Sequence, residues 1–240
     1  MANIIKIQNH LAKRERTKEK KRSIETKEVR VYFLIVCEGE KTEPNYFKSF
    51  KANVKSYVLT IDTLGEGSNT KDLVKRTIKY RDKSSQEYDS VWVVFDKDSF
   101  SLNNFNGAIL LAESNDIKVG WSNEAFELWY LLHFQYRNMY MSREDYKRAI
   151  EKEVNDKIAA QSKNKKPVKY KYQKNSIDMY AVLEKYGNQQ QAIKNAEKLI
   201  ANHNCSNFAN HNPCTRVHLL VQELKGDSFE LNEKIKNRNQ

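Results

Sequence analysis

Cysteine is scarce in this chain. Cys37, Cys205 and Cys214 are the full set, an odd number and widely spaced. A disulfide framework is therefore not expected, and free thiols in a reducing cytoplasm are. Long apolar runs are missing too: none reaches the roughly 18–20 residues that a membrane span needs. The opening residues, MANIIKIQNH, lack the apolar core of a secretory signal. No glycine-rich phosphate loop of the Walker type occurs, and no internal repeat is seen. These absences set aside a disulfide-stapled secreted scaffold, a membrane-embedded protein and a P-loop enzyme.

What is present is charge and a core. Lys and Arg outnumber Asp and Glu by 42 to 31, a formal net charge of +11. A surface this basic suits nucleic acid first and anionic membranes second. Hydrophobic residues make up 39% and aromatics 11%, enough for a sizeable core. At 240 residues the chain fits one domain, or one domain with a helical extension.

The chain divides by pattern. Residues 1–29 read as a basic arm, because KRERTKEKKRSIETKEVR (Lys13–Arg30) mixes charges of both signs and has no apolar stripe. Two readings stand: a solvated, frayed arm, or one that orders along a phosphate backbone. Residues 30–135 read as an α/β core. Val31–Cys37, Ser56–Leu64, Tyr88–Asp96 and Asp116–Ser122 read as strands. Helices are expected from Thr42, which serves as cap with Pro44 in the first turn, from Asn69, and over Asn104–Glu113. This rhythm predicts a mostly parallel sheet flanked by helices. Asn123–Phe134 reads as a buried helix. Residues 136–226 read as a helical extension, with helices over Ser142–Ala160, Ile177–Tyr186, Gln189–Asn202 and Thr215–Leu224. A basic, tyrosine-bearing loop fills 161–175, and 227–240 reads as a loose polar tail.

Chemistry concentrates where two of the strands end. One runs into Glu38, Gly39 and Glu40, the other into Asp96, Lys97 and Asp98. Ligands of open parallel sheets sit beyond the carboxyl ends of the strands. If these strands are neighbours, Glu38, Asp96 and Asp98 converge, and such carboxylates repel unless a cation lies between them. Hard oxygen donors favour Mg²⁺ or Mn²⁺, with Glu40 as an additional ligand. Gly39 allows a sharp turn and close approach of a phosphate. Lys41 is placed to stabilise phosphate charge. The competing reading is structural: an acid at a strand end also caps helices and starts turns.

Further candidates flank this centre. Asn123 and Glu127 are placed at the rim, Glu127 alternatively as a buried acid paired with Lys174 or Arg216. His133 reads as a core histidine. In the basic loop, Tyr170 and Tyr172 alternate with lysines that include Lys171 and Lys174. That pattern fits phosphate contacts and base stacking, or a solvated linker. His203, Cys205, His211 and Cys214 lack a usual structural zinc spacing. Asn212–Pro213 is read instead as a turn that starts the last helix of the extension.

The segments IVCEGEKTEPNYF, VWVVFDKDSF, SNEAFELWYLLHF and NPCTRVHLLV, in this order, resemble the RloB family along nearly the whole chain. The basic arm and YQKN (Tyr172–Asn175) fit it as well. One position departs: Glu124 stands where the family usually has proline. The first two segments also resemble the Toprim fold of topoisomerases, primases and OLD-type nucleases, which carries a Glu after its first strand and an Asp-x-Asp after a later one. These map to Glu38 and to Asp96 with Asp98. The resemblance implies a Rossmann-like Toprim core and a metal-dependent nuclease acting in anti-phage defence near restriction loci.

Three function classes follow. The first is an Mg²⁺- or Mn²⁺-dependent nuclease acting on RNA or DNA, with Glu38, Asp96, Asp98 and Lys41 as catalytic residues. Its substrate contacts are Gly39, Asn123, Glu127, Tyr172, Lys174 and Arg216. The second is a non-catalytic binding or regulatory partner of an AAA- or ABC-type ATPase. The third, a phosphotransfer domain with Asp96 as nucleophile, lacks a Walker-type loop to support it.

Overall fold

The computed structural model describes residues 30–50, 58–65, 70–98, 100–162, 168–203 and 206–238; for 58–65 only the backbone is described. The arm expected at 1–29 lies outside them, as do Cys205 and the lysines at 163, 165 and 166.

The strands are β1 (Arg30–Cys37), β2 (Val58–Gly65), β3 (Ser90–Asp96), β4 (Lys118–Asn123) and a two-residue β5 (Cys214–Thr215). The helices are α1 (Thr42–Lys48), α2 (Thr70–Lys83), α3 (Leu102–Glu113), α4 (Glu127–Leu132), α5 (Arg143–Gln161), α6 (Met179–Tyr186), α7 (Gln189–Ala201), α8 (Val217–Leu224) and α9 (Phe229–Arg238). The sheet order is β2-β1-β3-β4-β5. All pairings are parallel except β4 with β5. The α/β class and the helix-flanked, mostly parallel sheet are as the sequence predicts.

β3 shows why continuous apolar runs mark central strands. Each of its residues is buried, as expected for a strand covered on both faces. One helical group covers it through α3, where Phe105 packs edge-on against Phe95 and Trp121. A second aromatic group joins α1 to α4 and α6. In it the Tyr46 ring touches Phe126, Tyr130 and Tyr180, and its hydroxyl accepts from the Trp129 indole at 3.0 Å. Buried aromatic pairs of this kind add about 0.5–1.5 kcal/mol each beyond their area.

Four expectations change. Thr42 does not cap α1; the cap position is Lys41, and the Thr42 hydroxyl donates to the Lys174 carbonyl at 2.9 Å. The helix expected from Asn123 starts only at Glu127, because β4 runs on through Asn123. Asn212–Pro213 does not lead directly into a helix: Cys214 and Thr215 first pair with Asn123 and Ser122 as an antiparallel edge. The tail from Asp227 is not loose along its length. α9 buries Leu231 and Ile235, and Arg238 donates to Asp89 at 2.7 Å and to the Arg30 carbonyl at 2.8 Å.

The sheet order places the site. β1 is followed by β2 on one side, and the chain then crosses back to lay β3 on the other side of β1. The gap between the ends of β1 and β3 is thus the switch point of the sheet, where crossover connections leave in opposite directions and a crevice opens.

An acidic cleft at the strand ends

The β1–β3 register carries Cys37 alongside Val94, and the Glu38 amide donates to the Val94 carbonyl at 2.8 Å. Glu38 therefore leaves its strand directly beside Asp96. The Asp96 amide donates to Glu38 Oε2 at 3.2 Å, which ties the two acid-bearing strand ends together. Two residues on, Asp98 takes a positive φ of 36°, a left-handed turn conformation that Asp tolerates better than most residues.

A cleft of roughly 390 Å³ opens at this point. It is lined by the acids Glu38, Glu40, Glu43, Asp96, Asp98 and Glu127 and by the bases Lys41, Arg143 and Lys174. Of the candidates named from sequence, Glu38, Gly39, Glu40, Lys41, Asp96, Asp98, Glu127 and Lys174 all line it. A Cβ at Gly39 would meet the Glu43 carboxylate and displace the end of that side chain.

Three candidates lie elsewhere. Asn123 is buried, and its side-chain amide donates to the Ala209 carbonyl at 3.0 Å, so it braces β4 and does not face the cleft. Arg216 pairs with Glu113 at 3.6 Å and stacks over the Phe208 ring at 4.4 Å, lining a different cleft with Trp92 and Lys118. Tyr172 is no exposed stacking face. It is buried, and its hydroxyl donates to Glu127 Oε1 at 3.2 Å, behind the cleft wall.

The basic loop is a wall of the cleft where it is described. Tyr170 exchanges two hydrogen bonds with the Asn155 side chain, at 2.8 and 2.9 Å. The Tyr172 amide donates to Glu151 at 3.1 Å, and the Asn175 carbonyl accepts from Asn45 at 3.2 Å. These bonds strap 168–175 between α5 and α1 and aim Lys174 into the cleft.

Two lining residues were not singled out from sequence. Glu43 sits in the first turn of α1, buried because Tyr46 and Phe47 pull that helix onto the core. A one-turn offset from those aromatics was the available signal. Arg143 opens α5, where Ser142 and Asp145 form a capping box and Tyr146, Ile150 and Val154 are buried. Its Nη2 lies 3.4 Å from Asp96 and 3.5 Å from Asp98. The helix start is readable in sequence; its docking on the strand ends is a tertiary fact.

The electrostatics follow from this crowding. Burial, with Glu43 and Asp98 adding to it, raises the Glu38 carboxyl from 4.5 to about 7, against the Asp96 amide and Arg143. Asp96 is raised well above the usual carboxylate range by burial, then by Glu43 and Glu127, with Arg143 opposing. Glu43 is raised by burial, with Glu127 adding and Lys174 and Arg143 opposing. Asp96 Oδ1 is buried and makes no hydrogen bond of normal geometry, although the Phe126 backbone lies close enough to favour its charge slightly.

The donor set is all hard oxygen, with one buried oxygen unsatisfied. That composition fits a hard divalent cation such as Mg²⁺ or Mn²⁺. As the side chains stand, no three acidic, histidine or cysteine groups among the described residues are gathered closely enough to enclose an ion. Binding would need rotamer changes around Asp96, where Arg143 now lies. His133 is a core residue, its Nδ1 2.9 Å from the Trp129 carbonyl, and burial lowers it to about 4. His203 and His211 stack on each other with ring centres 4.4 Å apart.

No curated protein and no solved structure matches the chain. A family model described as RloB-like protein matches residues 33–224, a span running from β1 through α8 and containing every residue of the cleft. With most of its length covered by that match, the chain belongs to the RloB-like family.

Proposed function

We propose that this protein is a divalent-metal-dependent nuclease that hydrolyses phosphodiester bonds of RNA or DNA. The observation that carries the reading is the meeting of Glu38 and Asp96 at the switch point of the sheet, with Asp98 beside them and one Asp96 oxygen unsatisfied. Glu38, Asp96 and Asp98 would hold Mg²⁺ or Mn²⁺, with Glu40 at the rim. When bound, such an ion polarises a phosphoryl oxygen and lowers the pKa of bound water.

The chain's own residues supply the rest. Lys41 and Lys174 stand on the cleft wall, where each can pair with a phosphate oxygen. Glu127, which accepts from the Tyr172 hydroxyl, is part of the same wall. Six acids line the cleft against three bases, so once the acids are ionised the cleft alone repels a phosphodiester. A cation is the simplest means of reversing that sign. The Toprim-like placement of a Glu after β1 and an Asp-x-Asp after β3 supports the same reading. Family membership supports a setting in anti-phage defence.

The test is a cleavage assay on purified protein with Mg²⁺ or Mn²⁺, over tRNA, other RNA, and single- and double-stranded DNA. Glu38→Gln and Asp96→Asn should each abolish cleavage and keep the fold. Full activity in both folded variants refutes the mechanism.

One observation favours a second reading. Arg143 already supplies positive charge between Asp96 and Asp98. An aspartate pair already countered by an arginine suits a non-catalytic nucleic-acid-binding or regulatory subunit that works with an ATPase partner. Absence of cleavage under every metal and substrate, with retained nucleic-acid binding, selects it.

A further inference from the structure

Among the described residues, Arg143 is the cleft cation that touches two of the acids. Its backbone is fixed, because the capping box and three buried side chains hold the start of α5 in place. Its guanidinium is not. The two contacts use a single nitrogen, Nη2, at 3.4 and 3.5 Å. A committed guanidinium–carboxylate pair is a two-nitrogen fork at about 2.7–2.9 Å. The side chain is also 30% exposed, open to the same cleft that Lys41 and Lys174 line.

The neighbours of Arg143 define what it does when Asp96 and Asp98 turn elsewhere. Burial disfavours its charge, while Asp96, Glu127, Asp98 and Glu43 more than offset that and raise its pKa. A guanidinium stays charged in either arrangement. With both aspartates committed to a divalent ion, the freed fork faces the cleft and can pair with an anion entering there. A phosphodiester has the oxygen spacing that a planar guanidinium matches with two parallel bonds.

We infer that Arg143 is a further phosphate-binding residue of this cleft, beside Lys41 and Lys174, held in reserve by Asp96 and Asp98 until a divalent cation replaces it there. The inference rests on the metal-dependent reading above and adds to it the order of events: cation first, then the nucleic-acid phosphate. One guanidinium has two sets of partners, and the change of partners links metal loading to substrate binding.

The test uses the full chain freed of metal. Mn²⁺ is titrated calorimetrically into wild type, R143Q and R143K. Loss of the competing cation should tighten Mn²⁺ binding in R143Q by about tenfold, the equivalent of two partly exposed ion pairs. R143K keeps the charge and should stay near wild type; it also serves should R143Q fail to fold. In a second arm, anisotropy follows a labelled single-stranded oligonucleotide with Ca²⁺ as the divalent probe. Ca²⁺ should strengthen binding to wild type. R143Q should lose that gain, and the salt slope should fall by about one phosphate contact. If wild type binds Mn²⁺ and R143Q binds it no better, this inference fails and the metal reading stands. Tighter Mn²⁺ binding with an unchanged oligonucleotide slope overturns the phosphate role. If no form binds Mn²⁺, the metal reading fails and takes the inference with it.

Discussion

Glu38→Gln separates the cost of the acidic cleft from its use. The Glu38 carboxyl is raised from 4.5 to about 7, first by burial and then by Glu43 and Asp98. Between those values the folded protein holds a proton that the unfolded chain releases. This contribution is therefore fully present below pH 4.5 and is lost as the pH rises through 7. At pH 8 the charged carboxylate destabilises the metal-free fold. The full displacement corresponds to at most about 3 kcal/mol. Glu38 is only partly buried, so solvent screening brings this to roughly 1–2 kcal/mol. Gln keeps an oxygen to accept from the Asp96 amide and carries no charge.

For a chain of this size, the gain corresponds to roughly 2–8 °C in melting temperature. Scanning fluorimetry in EDTA at pH 8 should show Glu38→Gln melting above wild type, with the gap closing at pH 5. Adding Mn²⁺ at pH 8 should then stabilise wild type more than the variant, because the repelling charge has become a ligand. A Glu38→Gln protein that melts at or below wild type at pH 8 in EDTA would refute the electrostatic picture of the cleft. A rise equal at both pH values would refute its titration.

Other perturbations test other parts of the structure. Gly39→Ala should cost no more than about 1 kcal/mol, because the new Cβ meets only the movable end of the Glu43 side chain; the urea midpoint reads the effect. Tyr172→Phe removes the donor to buried Glu127 and should cost about 1–3 kcal/mol, visible as a lower urea midpoint without change in slope. His133 and His218 are both lowered to about 4 by burial. The unfolded chain takes up those protons first, so these two groups lower stability as the pH drops from 6.5 towards 4, against the opposite contribution of Glu38. The gap in urea midpoint between wild type and His218→Leu, measured at pH 7.5 and 4.5, isolates the His218 share and should shift in favour of the variant at pH 4.5.

The central strands were legible because burial on both faces needs continuous apolar sequence, and β1 and β3 have it. The acids that follow them were legible for the same reason: Glu38 and Asp96 stand out against what precedes them. β5 was not, since two residues carry no periodicity. α9 was missed because only Leu231 and Ile235 are buried in a polar segment, and its hold on the core comes from Arg238 reaching Asp89. Tyr172 was misplaced because alternating Lys and Tyr looks the same whether the rings face solvent or a buried acid. Only the strapping of 168–175 by Asn155, Glu151 and Asn45 decides between the two.

The same strapping bears on why the second half of the chain is attached to the sheet at all. β1, α1 and β3 bring Glu38, Glu43, Asp96 and Asp98 together, and among the described residues of the cleft lining Lys41 is the one base from that half of the chain. Arg143 from α5 and Lys174 from the strapped segment supply the balancing charge, and Tyr172 supplies the hydrogen bond to Glu127. The helical extension thus completes the cleft. On the nuclease reading proposed above, a net charge of +11 spread over the whole chain would attract a polyanion from a distance, while the local excess of acid would admit it only beside a cation. Long-range attraction and short-range exclusion would therefore come from different parts of one sequence. They would meet at the β1–β3 switch point, where Arg143 lies against both aspartates.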